Sequence, residues 1–309
     1  MSTKKHKQNI PGDRGLMVKF SYKENQHRTI FMEANTNNQK EIEQLWRSIL
    51  TGEKPPVPMG EIRSFFSKFS SGERCKCCNI PFTEKNVFNF DLWSKRSNVS
   101  PHFCKKCEDF AKGHIGGAEV CMTMLFADIR GSTQLGETIS PTEFREILNR
   151  FYTVATDVLT KNDAWIDKFV GDEAIGLFIP GFAGDNHTSL AIKSAIELLE
   201  ATGHASSEGP WVPLGIGINT GNVFMGAVGS GSVTDITPLG DNVNIAARLS
   251  GESKTGEILI SDASYKSPDC KTNSSQKLFQ KLEMKESTIE LKGKSDAQKV
   301  YIGSMCASS

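Results

Sequence analysis

The 309-residue sequence predicts an α+β fold preceded by a small metal-binding module, on three observations. After residue 117, apolar runs of strand length alternate with stretches of helical periodicity. They come both as hairpins and across helical crossovers, which favours a mixed, mainly antiparallel sheet with flanking helices over a doubly wound one. Ahead of that region, four cysteines stand as two Cys-x-x-Cys pairs. His114-Ile115-Gly116-Gly117 separates the two parts and offers a hinge. The resulting division is a polar arm with a short helix and a Pro-rich linker over 1–60, a cysteine module over 61–117, the main domain over 118–303 and a tail over 304–309.

In chain order, residues 1–38 are polar, with short apolar clusters at Leu16-Met17-Val18 and Ile30-Phe31-Met32 that suit a loose arm or a weak hairpin. Ile42, Leu45, Ile49 and Leu50 recur at helical spacing, so a helix is expected over 39–51, with Gly52 as its stop. Pro55, Pro56 and Pro58 forbid its continuation. A short amphipathic segment, Ile62 to Phe69, leads into the cysteines. Val120 to Ala127 reads as a buried strand. Ser140-Pro141-Thr142-Glu143 is a capping box opening a helix with Phe144, Leu148, Phe151, Ala155 and Val158 on one face. Strands at 165–170 and 174–178 meet at Gly171-Asp172, and a second helix spans about 188–201. Strands at about 212–218 and 223–228, a short helix at 242–249, and strands at 258–260 and 299–302 complete the domain.

Composition narrows the function classes. With 36 Lys+Arg against 36 Asp+Glu, no overall field points to nucleic acid or a membrane surface. A hydrophobic share of 38% suits an ordinary folded chain, and no apolar run reaches the roughly 18–20 residues of a membrane span. The polar, basic start lacks a secretory pattern, so a cytoplasmic, reducing compartment is expected.

Asp128 follows the buried strand and precedes the small-residue loop Gly131-Ser132-Thr133; Asp172 sits in the hairpin turn. Carboxylates at neighbouring strand ends suit divalent cations beside phosphate, while a capping aspartate and a plain turn suit the same residues. Phe126-Ala127-Asp128-Ile129-Arg130-Gly131-Ser132-Thr133, Lys168-Phe169-Val170-Gly171-Asp172 and Gly240-Asp241-Asn242-Val243-Asn244-Ile245-Ala246-Ala247-Arg248 together resemble the class III nucleotidyl cyclase domain. The resemblance runs from about 118 to 303. It implies a head-to-tail homodimer with two composite sites, in which Asp128, Asp172 and the Ile129 carbonyl hold two Mg²⁺ or Mn²⁺ ions. The implied reaction turns a nucleoside triphosphate into a 3′,5′-cyclic nucleotide and pyrophosphate.

Lys168 and Thr237 occupy the positions that read the base in that family, and Lys/Thr resembles the pattern for ATP. GTP or a pyrimidine triphosphate stays open, as does a non-catalytic, zinc-stabilised binding protein of cyclase fold. Asn244 and Arg248, spaced i,i+4, project from one helix face; the resemblance implies that Asn244 positions the ribose and Arg248 faces the transition-state phosphate. The chain departs from many relatives in lacking a basic residue over Gly229 to Thr237, so either the Gly/Ser backbone supplies donors or another cation substitutes. Lys292-Gly293-Lys294 resembles a family lysine motif that reaches phosphate, which implies Lys294 as a candidate for the triphosphate.

Cys75, Cys78, Cys104 and Cys107 can close a four-thiolate Zn²⁺ site, with Arg74, Lys76, Lys105 and Lys106 nearby to offset its negative charge. A redox switch, for which Cys77 is a spare thiol, or an iron–sulfur cluster stays open, and His102 could replace one cysteine. The double-CxxC segment is similar to one preceding the catalytic domain in some bacterial-type cyclases.

Overall fold

The computed structural model describes residues 16–22, 26–32, 39–67, 73–82, 95–230, 233–294 and 296–305. The first part of the arm, residues 231–232 of the Gly/Ser stretch and the tail from 306 lie outside the described residues. β1 (Leu16–Tyr22) and β2 (Gln26–Met32) pair as an antiparallel hairpin. α1 (Gln39–Thr51) buries Ile42, Trp46, Ile49 and Leu50, and Gly52 ends it in a left-handed conformation (φ 77°). α2 (Met59–Ser67) starts past the prolines, and α3 (Lys105–Gly113) begins one residue after Cys104.

β3 (Gly116–Ile129) is followed by α4 (Ser132–Thr138) and α5 (Pro141–Lys161). The expected capping box opens α5: the Glu143 N–H donates to Ser140 Oγ (3.2 Å), and the Glu143 carboxylate accepts from the Ser140 N–H (2.9 Å). β4 (Trp165–Val170) and β5 (Glu173–Phe178) form the expected hairpin, with Gly171 at φ 62° in the turn. α6 (Pro180–Ala183) and α7 (His187–Ala201) lead to β6 (Leu214–Ser230). Here the structure corrects the expectation of two strands. Residues 214–227 pair without interruption with β3, so Thr220-Gly221-Asn222 is held in a ladder instead of turning. β7 (Val233–Leu239) returns along β6 where the sequence suggested only a Gly/Ser connection. α8 (Asp241–Glu252), β8 (Glu257–Ser261), α9 (Asp262–Tyr265), α10 (Asn273–Phe279), β9 (Leu282–Ile289) and β10 (Gln298–Met305) complete the chain.

The large sheet has the order β4-β5-β3-β6-β8-β10-β9, with β7 also paired to β6. Only the β6–β8 pair is parallel; the rest are antiparallel. Side-chain alternation along β3 sends Val120, Met122, Met124 and Phe126 to one face and Leu125, Ala127 and Ile129 to the other. The second face packs under α5 and α7. The first shares one core with α1, α2, α8 and the cysteines, so the cysteine module packs continuously with the sheet. A Cβ at Gly217 would fall 2.2 Å from the Ser250 nitrogen and 2.5 Å from the Ala246 oxygen. Glycine there lets α8 lie directly on β6, which fixes the residues α8 carries.

Candidate active site and metal centre

The first group gathers where β3 ends. Asp128 stands opposite Glu173 in the β3–β5 ladder, and the Ile129 N–H donates to the Asp172 carbonyl (3.3 Å), so the two strand ends are joined. Tyr152 donates its hydroxyl to the Gly171 carbonyl, holding the turn from α5. Arg130 pairs with Asp128, and its guanidinium also donates to the Gly251 carbonyl (3.0 Å) at the end of α8. Glu173, which the sequence reading did not single out, has its carboxyl pushed up to about 7, by burial first and then by the charge of Asp172, with Arg130 opposing. Two hard carboxylates and a backbone carbonyl suit Mg²⁺ or Mn²⁺, which take one or two protein carboxylates and leave positions for substrate phosphates.

The second group lies on β4 and β7. β4 bulges between Ile166 and Lys168, so Asp167 has no partner on β5 and Lys168 is turned outward. Lys168 Nζ donates to Thr237 Oγ1 (3.5 Å), and the Thr237 hydroxyl donates to Asp167 Oδ2 (3.3 Å). The two residues expected to read the base are therefore in contact, across strands joined by no ladder. Asp167 was missed by the sequence reading, because a bulge leaves no mark in residue order.

The third group sits on α8 and the turn after β9. Asn244 is exposed. Arg248 is half-buried against Gly293, and its Nη1 is buried without a protein acceptor. Lys294, expected to reach phosphate, pairs with Asp241 at the start of α8. Among the described residues, no hydrogen bond or ion pair joins Asp128 or Asp172 to Lys168, Thr237, Asn244 or Arg248.

The fourth group is the cysteine quartet. The sulfurs of Cys75, Cys78, Cys104 and Cys107 are buried and lie within 4.8 Å of one another. Cys78 and Cys104 sulfurs are 3.8 Å apart, the separation of roughly 3.8 Å that a tetrahedral Zn²⁺ with bonds near 2.3 Å requires. The Cys104 N–H donates to Cys75 Sγ (3.2 Å), as a thiolate ligand would accept. Burial raises the Cys75 thiol, but hydrogen bonds from the other three cysteines and the Cys104 N–H hold it well below the usual range. The residues present fit a Zn²⁺ ion. Among the described residues this is the one group of three or more metal-binding side chains so close together.

A family profile described as the adenylate and guanylate cyclase catalytic domain matches residues 118–304. Similar curated proteins include an adenylate cyclase of Anabaena cylindrica, 32% identical over an alignment of 191 residues that covers 58% of this chain and 36% of that protein. Adenylate cyclase 1 of Rhizobium meliloti is 30% identical over 176 residues, 54% of this chain and 25% of that protein. The chain thus spans about a third of the first relative and a quarter of the second. Among solved structures, the guanylyl cyclase Cya2 matches with a TM-score of 0.52 at 26% identity, over 61% of this chain and 94% of that one. The adenylyl cyclase CyaB from P. aeruginosa matches with a TM-score of 0.50 at 28% identity, over 61% and 95%.

Proposed function

Because the chain belongs to the family of adenylate and guanylate cyclase catalytic domains, we propose that it converts ATP to 3′,5′-cyclic AMP and pyrophosphate in a homodimer. The observation that carries the choice of ATP is the contact of Lys168 with Thr237. An ammonium donates to a ring nitrogen of adenine, and a hydroxyl oxygen accepts from its amino group. The ribose 3′-oxygen forms a bond to the α-phosphorus, the bond from that phosphorus to the bridging oxygen breaks, and the 3′-hydroxyl proton leaves to solvent. Asn244 orients the ribose, and the buried, unpaired Nη1 of Arg248 is a ready donor for the charge that grows on the α-phosphate. Asp128, Asp172 and the Ile129 carbonyl would hold two Mg²⁺ or Mn²⁺ ions, which neutralise phosphate charge and make the 3′-hydroxyl more acidic.

The dimer reading is supported by the lack, among the described residues, of any hydrogen bond or ion pair joining Asp128 or Asp172 to Lys168, Thr237, Asn244 or Arg248 within one chain, and by apolar surface beside the second group. Val170 and Leu239, which end β4 and β7 near Lys168 and Thr237, are 51% and 48% exposed. In this reading each site takes its carboxylates from one protomer and Lys168, Thr237, Asn244 and Arg248 from its partner. The cysteine quartet is read as a structural Zn²⁺ site, since four thiolates leave no position for water or substrate.

The test is to incubate purified protein with ATP, GTP, CTP or UTP and Mn²⁺, identifying products by mass spectrometry. Cyclic AMP as the main product is expected; a different cyclic nucleotide would reassign the base, and none would favour a binding protein of this fold. Mixing Asp128→Ala with Arg248→Ala chains should restore activity through mixed dimers carrying one intact site. Heterodimers that form but stay inactive would place the whole site within one protomer.

A further inference from the structure

One buried charge in the cysteine module has no part in holding a metal. Lys76, between Cys75 and Cys77, has a side chain only 7% exposed. Its ammonium points into the cyclase sheet, with Nζ 2.8 Å from Asp167 Oδ1 and 3.1 Å from Asp235 Oδ1. The lysine's backbone is clamped from both sides. Its N–H donates to the His102 carbonyl (2.8 Å), and its carbonyl accepts from Arg63 (3.0 Å). The same guanidinium donates to the Cys77 carbonyl (2.7 Å) and to the carbonyl of Ala164 (2.8 Å), the residue before β4. The loop between the cysteines is thus bolted to the strand that carries Asp167 and Lys168.

Asp167 is the bulged residue of β4, and its side chain is 3% exposed. Oδ1 faces Lys76, while Oδ2 faces the Thr237 hydroxyl (3.3 Å) and Lys168 Nζ (3.4 Å). A carboxylate so buried needs a fixed counter-charge. Lys168 is half-exposed, so the buried partner is Lys76.

The consequence concerns the polarity of one hydroxyl. Threonine has one proton and two lone pairs, and alone it can meet either a donor or an acceptor. Facing the Asp167 carboxylate, the Thr237 proton is committed to Oδ2. Lys168 donates to one lone pair, and the other is left for a ligand. We propose that Lys76 and Asp167 are positioning residues for base selection: the cysteine module inserts Lys76 to compensate Asp167, and Asp167 fixes Thr237 as an acceptor. A hydroxyl held this way receives the amino group of adenine and disfavours the carbonyl oxygen that guanine carries in its place. The inference rests on the reading of Lys168 and Thr237 as the base-contacting pair.

The test measures binding of 3′-deoxy-ATP and 3′-deoxy-GTP, which cannot cyclise, to the full chain by calorimetry. The wild type should prefer the adenine analogue. In Asp167→Asn, Lys76 holds the amide oxygen, the amide N–H turns to Thr237, and the Thr237 proton swings outward. The adenine-over-guanine ratio should then fall by about tenfold, the worth of one hydrogen bond. Lys76→Met should move the ratio the same way and Lys76→Arg should restore it, with zinc content and melting temperature reporting that the fold holds. If either Asp167→Asn or Lys76→Met fails to fold, the other carries the test. In ATP turnover, KM should rise more than kcat falls. A folded Asp167→Asn or Lys76→Met with the wild-type ratio overturns the inference. A wild type with no preference, or one for the guanine analogue, overturns the base reading and the inference with it.

Discussion

The two ends of the candidate site are built on opposite electrostatic plans. At the end of β3, Asp128, Asp172 and Glu173 share one neighbourhood with Arg130, and burial first, then the Asp172 charge, pushes the Glu173 carboxyl up to about 7. At the proposed base-reading end, Lys76, Asp167, Lys168 and Asp235 alternate in sign and offset one another's charge. The first region holds surplus negative charge, which a divalent cation relieves. The second is internally neutral and offers single donors and acceptors to an uncharged ring. Local charge balance therefore distinguishes the proposed metal-and-phosphate locus from the proposed base locus before any ligand is placed.

Breaking the acidic end should have the largest effect. Asp128→Ala or Asp172→Ala should cut turnover by roughly a thousandfold, about 4 kcal/mol of barrier. Because Asp172 repels the buried Glu173 carboxyl, Asp172→Ala should hold or raise the melting temperature of the metal-free protein, whereas Asp128→Ala, which removes the partner of Arg130, should hold or lower it slightly. Turnover near wild type in saturating Mn²⁺ would remove that residue from the metal site. The neutral end should answer to the cysteines instead. Stripping metal with a chelator, or Cys78→Ser, should lower the melting temperature, since a bound metal adds its binding energy to folding. It should also shift the purine ratio in the direction of Lys76→Met, while Asp128→Ala should leave that ratio alone.

The smallest effect serves as a control outside both ends. Burial lowers the pKa of His187, whose Nδ1 lies 2.8 Å from Thr123 Oγ1. The unfolded chain then takes up this proton more readily than the folded one, so the stability contribution is present above about 6.5 and is lost as pH falls below it. His187→Gln should flatten the melting temperature between pH 7 and pH 5 by a few degrees without changing the purine ratio. A changed ratio would tie this histidine to the base locus.

Much of this arrangement was legible in residue order, because it depends on local chemistry. The paired Cys-x-x-Cys motifs, the apolar strand leading into Asp128, the Gly171-Asp172 turn and the capping box at Ser140 each carry their signal within a few residues. What escaped was set by distant pairing. Thr220-Gly221-Asn222 has turn composition but is held straight by Thr123, Met122 and Cys121 across the ladder. β9 alternates Leu282, Met284 and Glu286 with other polar residues, a weak strand signal that suits a guarded sheet edge. Asp167 and Lys76 stand far apart in the chain, and Lys76 read simply as a positive charge beside thiolates. The pairing of Lys294 with Asp241, set by the approach of the turn after β9 to α8, was likewise not readable from residue order.

The long β3–β6 ladder also bears on how the molecule comes to be folded. It joins residues 116–129 to 214–227, with α5, α7 and the β4–β5 hairpin between them in sequence. Pairing across so wide a gap is entropically late, so sheet closure should limit the folding rate. During synthesis the apolar run from Val120 to Ala127 emerges well before β6 exists to pair with it. α1 has by then been made. It packs on β3, with the Trp46 indole donating to the His114 carbonyl (3.0 Å) just ahead of that strand. The N-terminal helix is therefore the first cover available to a strand that would otherwise wait, exposed, for its partner.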